Sequence, residues 1–511
     1  MENKIKRSVF CWYVNSFIFG FLGIYFFVIP FFQVIYYIND DALKVGTGVP
    51  RFASCVHKSL SPKYEKWARG RVESGVAEKL DVEDISGTEW PVFGSVFYLW
   101  ATDSLQGQWE IAKNGTAPNI YSKGAIEAAA ELIGDEGHAA WVKLHWGDGY
   151  LKNENVFYRM LLISGWTCYE KLIGDDKYTD MLREQTDSLS KALDESEYGL
   201  LDDYPRQCFP TDVVAAIAAI NRADKVLGTD HSEFVKRSIR GFTGKLVDWT
   251  GLPPYSADST SGAIGMARGC SSQWIVRWVP ELWPDKGREF YASYEKYFWQ
   301  ERYMGVGFRE FTKEESNAEW YFDVDSGPVV GGYGAAASAF GVGAARSNGR
   351  FDHAYPLSAE FIVASWPLPD GTLLVPRILS NGVHAPYLGE AAVLFNFATM
   401  PVAGVEIVKG GDLPGFVYLA TGLYLLVGVF IILAALLTLR KSLQKIDKVS
   451  VPLEKLQYNI WAGLVILGII ISLTFNLALG VMLLLLSQFL PRTRKIKVKV
   501  QVQVQDIANK S

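Results

Sequence analysis

Cysteine is scarce in this chain. Five occur among 511 residues, and the last four, Cys55, Cys168, Cys208 and Cys270, lie 113, 40 and 62 residues apart. That spacing matches no zinc pattern. Basic charge is also in deficit: residues 39–414 carry 36 Lys and Arg against 51 Asp and Glu, a net of −15. A surface of that sign argues against nucleic acid and against docking on anionic lipid. No Ser/Gly-rich or Pro-rich run divides the segment, so no linker splits it. No 20–50-residue repeat is visible either, and any repeated architecture has to be inferred from the number of helices.

Three stretches lack charge altogether. Val9 to Ile38 is long enough to cross a bilayer of about 30 Å. It is too long for a signal peptide, and no small-residue cleavage site follows it. Phe416 to Leu439 is a second span. Asn459 to Leu490 would reach about 48 Å as one helix, long for one crossing and short for two. Lys4, Lys6 and Arg7 precede the first span, and Arg440, Lys441, Lys445 and Lys448 follow the second. The positive-inside rule puts both clusters in the cytoplasm. Residues 39–414 are then expected outside a cytoplasmic membrane that the chain crosses more than once, in a periplasm-like space that permits disulfides. The tail with Arg492, Arg494, Lys495, Lys497 and Lys499 is basic too, which favours a hairpin over 459–490 turning near Asn476 against one long tilted helix. The expected divisions are an anchor 1–38, an outer domain 39–414, a span 415–439, a basic loop 440–458, the hydrophobic stretch 459–490 and a basic tail 491–511.

Within the outer domain the apolar pattern is mainly helical. It predicts helices near 61–80, 91–113, 122–137, 154–173, 176–194, 211–227, 231–247, 269–282, 285–300, 327–346, 355–366 and 389–400. Twelve helices with short connections suit an all-α fold, an (α/α)6 barrel of six hairpins. The inner helices should be the Ala- and Gly-rich ones, 211–227 and 327–346. Short strands are expected at Gly307–Phe311, Tyr321–Val324 and Thr372–Pro376, forming a small β cap at one mouth.

The densest chemistry lies between Tyr198 and Ala215. Asp202, Asp203, Tyr204, Arg206, Cys208 and Asp212 crowd a loop broken by Pro205 and Pro210, just before an apolar helix. A thiol, a phenol and carboxylates there form an acid–base set, and the helix N-terminus would favour a thiolate. The plain alternative is a helix cap at Thr211 or Asp212 with Cys208 as a small buried residue. A second candidate runs from Glu310 through Trp320 to Pro328. Asp323 and Asp325 alternate, so in a strand they share a face. The aromatic run beside them would raise a carboxyl pKa, whereas the plain reading is a cap for a helix beginning near Pro328. Two carboxylates are too few for a calcium loop. Cys270, opening a helix after Arg268-Gly269, could line the pocket, pair with Cys208 or be structural. His145, a candidate proton shuttle, Tyr158, and the pair His384 and Glu390 before the last helix complete the set, each with a packing role as the alternative. Gly87-Thr88-Glu89-Trp90 opens an aromatic helix and reads as wall. The aromatics beyond core needs would line a pocket for an apolar or ring-shaped ligand.

Arg206 to Asp212, Arg268-Gly269-Cys270 and Asp323 to Pro328, in this order on a helical domain, resemble the linalool dehydratase/isomerase domain family over roughly 150–400. The resemblance implies an (α/α)6 barrel outside the cytoplasmic membrane and cofactor-free acid–base chemistry on a small terpenoid alcohol. It also implies an Asp, a Tyr, a His and two cysteines around the substrate hydroxyl. Cys208 matches one cysteine, and the loop has no second. The competing expectations are a glycoside-active enzyme, by analogy of fold alone, with Asp212, Glu310, Asp323 and Asp325 as its carboxylates, and a non-catalytic membrane protein binding envelope glycan or lipid.

Overall fold

A computed structural model describes residues 2–81, 84–315, 319–444, 455–474 and 477–488. The expected turn at Asn476, the basic residues Lys445 and Lys448 and the tail 491–511 lie outside the described residues. The chain forms two compact units, Met1–Phe31 with Leu423–Ser511, and Phe32–Gly422.

Three helices are long and apolar enough to cross a membrane: Phe10–Ile38, Gly415–Arg440 and Lys455–Ser472. The first has a π-helical turn at Ile24–Val28, just before Pro30, which has no N–H to return to that turn. Glycines let these helices approach closely. A Cβ on Gly23 would come within 3.1 Å of Ile431, and one on Gly428 within 2.9 Å of Val28. The Trp461 indole N–H donates to Asn15 Oδ1 at 2.9 Å. Beyond Thr474 the hydrophobic stretch does not continue as the same helix. Leu477–Ser487 is a separate helix packed against Lys455–Thr474, with Gly468 and Gly480 at their contact.

Among the described residues, 51–398 of the second unit hold fourteen helices of seven or more residues. Twelve are α1 (Arg51–Glu73), α2 (Glu89–Ala112), α3 (Lys123–Ile133), α4 (Val156–Leu172), α5 (Thr179–Glu195), α6 (Pro210–Leu227), α7 (Ser232–Ser238), α8 (Gly269–Leu282), α9 (Pro284–Phe298), α10 (Ala335–Ser347), α11 (Phe351–Ser365) and α12 (Leu388–Ala398); the other two are Ala140–Trp146, which carries His145, and Leu374–Asn381. The even-numbered helices pack in succession, α2 on α4, α4 on α6, α6 on α8, α8 on α10 and α10 on α12, and α12 packs back on α2. The odd-numbered helices alternate with them. α3 lies on α2 and α4, α5 on α4 and α6, α9 on α8, and α11 on α10. The division follows from the residues. Val213–Ile220 in α6 and Gly341–Ala345 in α10 are small or branched and buried throughout, whereas α5 presents one apolar stripe of Leu182, Leu189 and Leu193.

Aromatic rings fill the space between the even-numbered helices. Phe97 of α2 lies 6.1 Å from Trp274 of α8, 5.3 Å from Phe340 of α10 and 5.4 Å from Phe395 of α12. Trp100 lies 5.1 Å from Trp278. Each such pair adds about 0.5–1.5 kcal/mol beyond its buried area.

The β part is small. β1 (Trp299–Arg302) pairs antiparallel with β2 (Gly305–Phe308), and β4 (Gly327–Val330) pairs with both β3 (Trp320–Asp323) and β5 (Tyr333–Gly334). The expected helix from 327 therefore starts at Ala335. Pro328 sits in β4 opposite Phe322, and the positive φ of Gly331 and Gly332 turns the strand back. Thr372–Pro376 is not a strand. Leu373 makes one bridge to Pro367, and a helix follows over Leu374–Asn381. α1 begins ten residues before the expected start and carries Pro62 inside it. α7 ends at Ser238 and passes into 3-10 turns.

Candidate functional site

The even-numbered helices begin at one end of their ring of contacts. The Thr211 hydroxyl at the start of α6 donates to the Ser271 carbonyl at the start of α8, at 3.3 Å. The Val156 N–H at the start of α4 donates to the Asp202 carbonyl at 3.2 Å. A Cβ on Gly94, near the start of α2, would lie 3.3 Å from Leu388 at the start of α12. Gly269 itself must be glycine, because a Cβ there would come within 1.9 Å of the Arg309 carbonyl oxygen.

Four carboxyls meet at this end. The Tyr204 hydroxyl donates to Glu89 Oε2 at 2.7 Å. Glu89 and Asp212 are largely enclosed by protein yet keep some accessible surface. Burial raises the Glu89 carboxyl to about 7, against the pull of the Tyr204 bond, and the field of Asp325 adds to the rise. Burial, then Glu89 and Asp325, push Asp212 well above the carboxylate range. Asp203 is buried, and its Oδ2 accepts the Phe209 N–H at 2.9 Å. Burial and Asp212 raise it strongly too. Asp325 is exposed, and the Tyr255 hydroxyl donates to its Oδ2. Carboxyls in one another's field cannot all ionise, and their protons belong to the set.

Helical periodicity puts aromatic rings directly below. Glu89, Phe93 and Phe97 follow at i, i+4 and i+8 on α2, and Cys270, Trp274 and Trp278 do so on α8. Phe93 lies 6.0 Å from Trp274, and Phe93 and Phe340 keep partial exposure. A cluster of carboxyls and phenols thus sits over a layer of aromatic rings.

Arg268 is the cation beside this cluster, and it is already engaged. Its guanidinium donates to Glu310 Oε1 and Asp323 Oδ2, both at 2.7 Å, and lies 4.5 Å above the Tyr255 ring. Glu310 is fully buried and also accepts the Cys270 N–H at 3.1 Å. Burial favours the neutral acid at Asp323, but hydrogen bonds from Ser326 and Arg268 outweigh it and hold the group at about 2. Asp323 is therefore an ion-pair partner, not the raised acid the sequence suggested. The aromatics before it do not exclude water either, for Trp320 is 74% exposed.

The thiols also depart from expectation. Cys208 is fully buried, and burial together with Asp203 raises its pKa, so it is a neutral thiol and not a thiolate. Its carbonyl accepts the Ala257 N–H at 3.0 Å. Cys208 and Cys270 are both free. Cys270 lies nearer the cluster, within the fields of Glu310 and Asp325.

Of the remaining candidates, His145 touches the cluster: its ring meets Tyr204 edge-on at 5.2 Å. Tyr158 packs at 5.9 Å from both Trp141 and Tyr150. Glu390 is buried in an ion pair with Arg377 and accepts the Leu373 N–H. His384 is exposed, 3.8 Å from Asp84. Sequence reasoning passed over Glu89 and Tyr255. A lone glutamate in the first turn of an apolar helix looks like a complement to the helix dipole, and only the i+4 series of aromatics below it points elsewhere.

One group of possible metal ligands, Glu295, Asp352 and His353, occurs among the described residues. Arg350 donates to both carboxylates, at 2.5 Å and 2.6 Å, and already supplies the positive charge a metal would bring. No model of a known protein family matches the chain, and no curated protein does.

Proposed function

We propose that this protein is a membrane-anchored, cofactor-independent acid–base enzyme acting on a small neutral alcohol, a hydro-lyase or isomerase. The cyclic packing of α2, α4, α6, α8, α10 and α12, with the odd-numbered helices returning between them, supports reading the domain as an (α/α)6 barrel. The observation that carries the function is Glu89, raised toward neutral pH and bonded by Tyr204, within the field of Asp325 and beside Asp212. A protonated carboxyl of the Glu89–Asp212 set gives its proton to the substrate hydroxyl. The C–O bond breaks with its electron pair and water leaves. Asp325 takes the proton from the neighbouring carbon, and that C–H pair becomes the C=C bond. Phe93, Trp274 and Phe340 shelter the developing cation with their ring faces. With Arg268 bound to Glu310 and Asp323, the cluster favours a neutral substrate over an anionic one. The resemblance to the linalool dehydratase/isomerase domain agrees with this chemistry but places the acid differently, on Glu89 and Asp212 in place of a cysteine.

The test is turnover of tertiary and allylic alcohols, linalool among them, by the purified full chain, with alkene followed by gas chromatography. Glu89→Gln should lower the rate at least about 100-fold. Wild-type turnover in that variant, or none in the parent with any alcohol, would overturn the reading. One observation favours glycan as a second substrate class: Trp320 and Phe322 expose flat faces on the strand leading to Asp325. Release of reducing sugar in place of alkene would select it. The orientation we propose, with the helical domain outside the cytoplasm, rests on the basic clusters flanking the first two spans. Protease added to spheroplasts should digest the domain, and its protection in sealed cells would reverse the topology.

A further inference from the structure

The far end of the helix ring holds a buried cation without a counter-ion. Arg277, on α8, is 6% exposed, and its Nε is sealed from solvent with no partner. No hydrogen bond to its guanidinium exists among the described residues. The group lies 4.5 Å from the Trp278 ring and 5.5 Å from Phe395, against the aromatic stack between the helices. Glu281, the carboxylate whose field reaches it, is taken: Arg222 binds it through two nitrogens, at 2.9 Å and 2.6 Å. Arg222 also lies over the same Trp278 ring at 4.7 Å and sets a second positive charge beside Arg277.

An unpaired buried charge is costly. A carboxyl or an amine in that position escapes by gaining or losing a proton. A guanidinium does not at neutral pH. Ring faces offset part of the cost but satisfy no N–H. The planar fork of donors on arginine matches a carboxylate or phosphate edge. We propose that this end of the ring is a binding site for a small oxyanion, a carboxylate or a phosphate, anchored by Arg277. The site is separate from the carboxyl cluster and does not depend on the reaction assigned there.

The experiment uses the full chain in detergent and follows thermal unfolding as inorganic phosphate or acetate is titrated in, at ionic strength fixed with chloride. At least one of the two should raise the midpoint saturably, and the one that does tells phosphate from carboxylate recognition. Arg277→Gln should abolish the saturable response. Glu281→Gln, which removes the carboxylate that acts on Arg277 and keeps Arg277 itself, should tighten the apparent Kd several-fold. Because Arg277→Gln could also disturb folding, Glu281→Gln and the parent titration decide the matter. No saturable shift in the parent, an unchanged Kd in Glu281→Gln, or an equal response in Arg277→Gln would each overturn the proposal.

Discussion

Where the even-numbered helices begin, Glu89, Asp203, Asp212 and Asp325 gather around two phenols, and the neighbouring cation is already bound elsewhere. Where those helices end, Arg277 lies against aromatic rings with no hydrogen-bond partner among the described residues, while the carboxylate that acts on it, Glu281, is held by Arg222. Helix dipoles should favour ionised carboxylates at the first end and cations at the second, by at most about 2 kcal/mol in partly buried sites. The rise of Glu89 from 4.5 to about 7 corresponds to about 3 kcal/mol in the opposite sense. Burial and mutual repulsion therefore win at the first end. At the second, burial and the nearby Arg222 lower Arg277 only to about 9, and it stays charged. Buried carboxyls relieve themselves by holding protons, which makes acids of them. A buried guanidinium has no such exit, which makes it a receptor.

The comparison can be broken at several points. The largest effect is expected from Glu89→Gln, with turnover lost by two orders of magnitude or more and the fold kept. Arg222→Ala should come next. It strands Glu281, and loss of the charge-assisted bonds of this partly buried pair should cost about 3 kcal/mol, read as a fall in the urea midpoint with no loss of turnover per folded molecule. The pH dependence of stability sharpens the first end. Glu89 binds its proton more tightly folded than unfolded, so its contribution is full below about 4.5 and lost as pH rises through about 7. Chemical denaturation across that window should lose about 3 kcal/mol in the parent, and Glu89→Gln should flatten the slope. Asp323→Asn should cost about 1–2 kcal/mol through its bonds to Arg268 and Ser326 and lower turnover less than tenfold. The smallest effect belongs to Cys208→Ala: about 1 kcal/mol of stability and turnover within twofold of the parent.

Helix positions were readable from composition, because small-residue runs such as Val213–Ile220 can only be buried, whereas α5 shows a single stripe. Boundaries were less so. Pro62 reads as a helix start but lies inside α1, and Pro328 reads as a first turn but pairs in a sheet. At the site, the loop from Asp202 to Asp212 announced itself through its prolines and density of polar groups. Asp323 and Asp325 were found as a pair, but the turn at Ser326 sends one to Arg268 and the other to Tyr255. Their opposite roles depend on partners 55 and 70 residues away. Glu89 and Arg277 were not legible, since each stands among apolar neighbours in its helix, and only the fold shows which groups surround it.

The account stands most directly on the proton held by Glu89 near neutral pH. Infrared difference spectra of the parent against Glu89→Gln, recorded across a pH titration, isolate the protonated carboxyl of this residue. A carbonyl band that is lost with a midpoint near 7 and is missing from the variant is the predicted result. A Glu89 already ionised at pH 5 would contradict the assignment of this end of the ring as the acid.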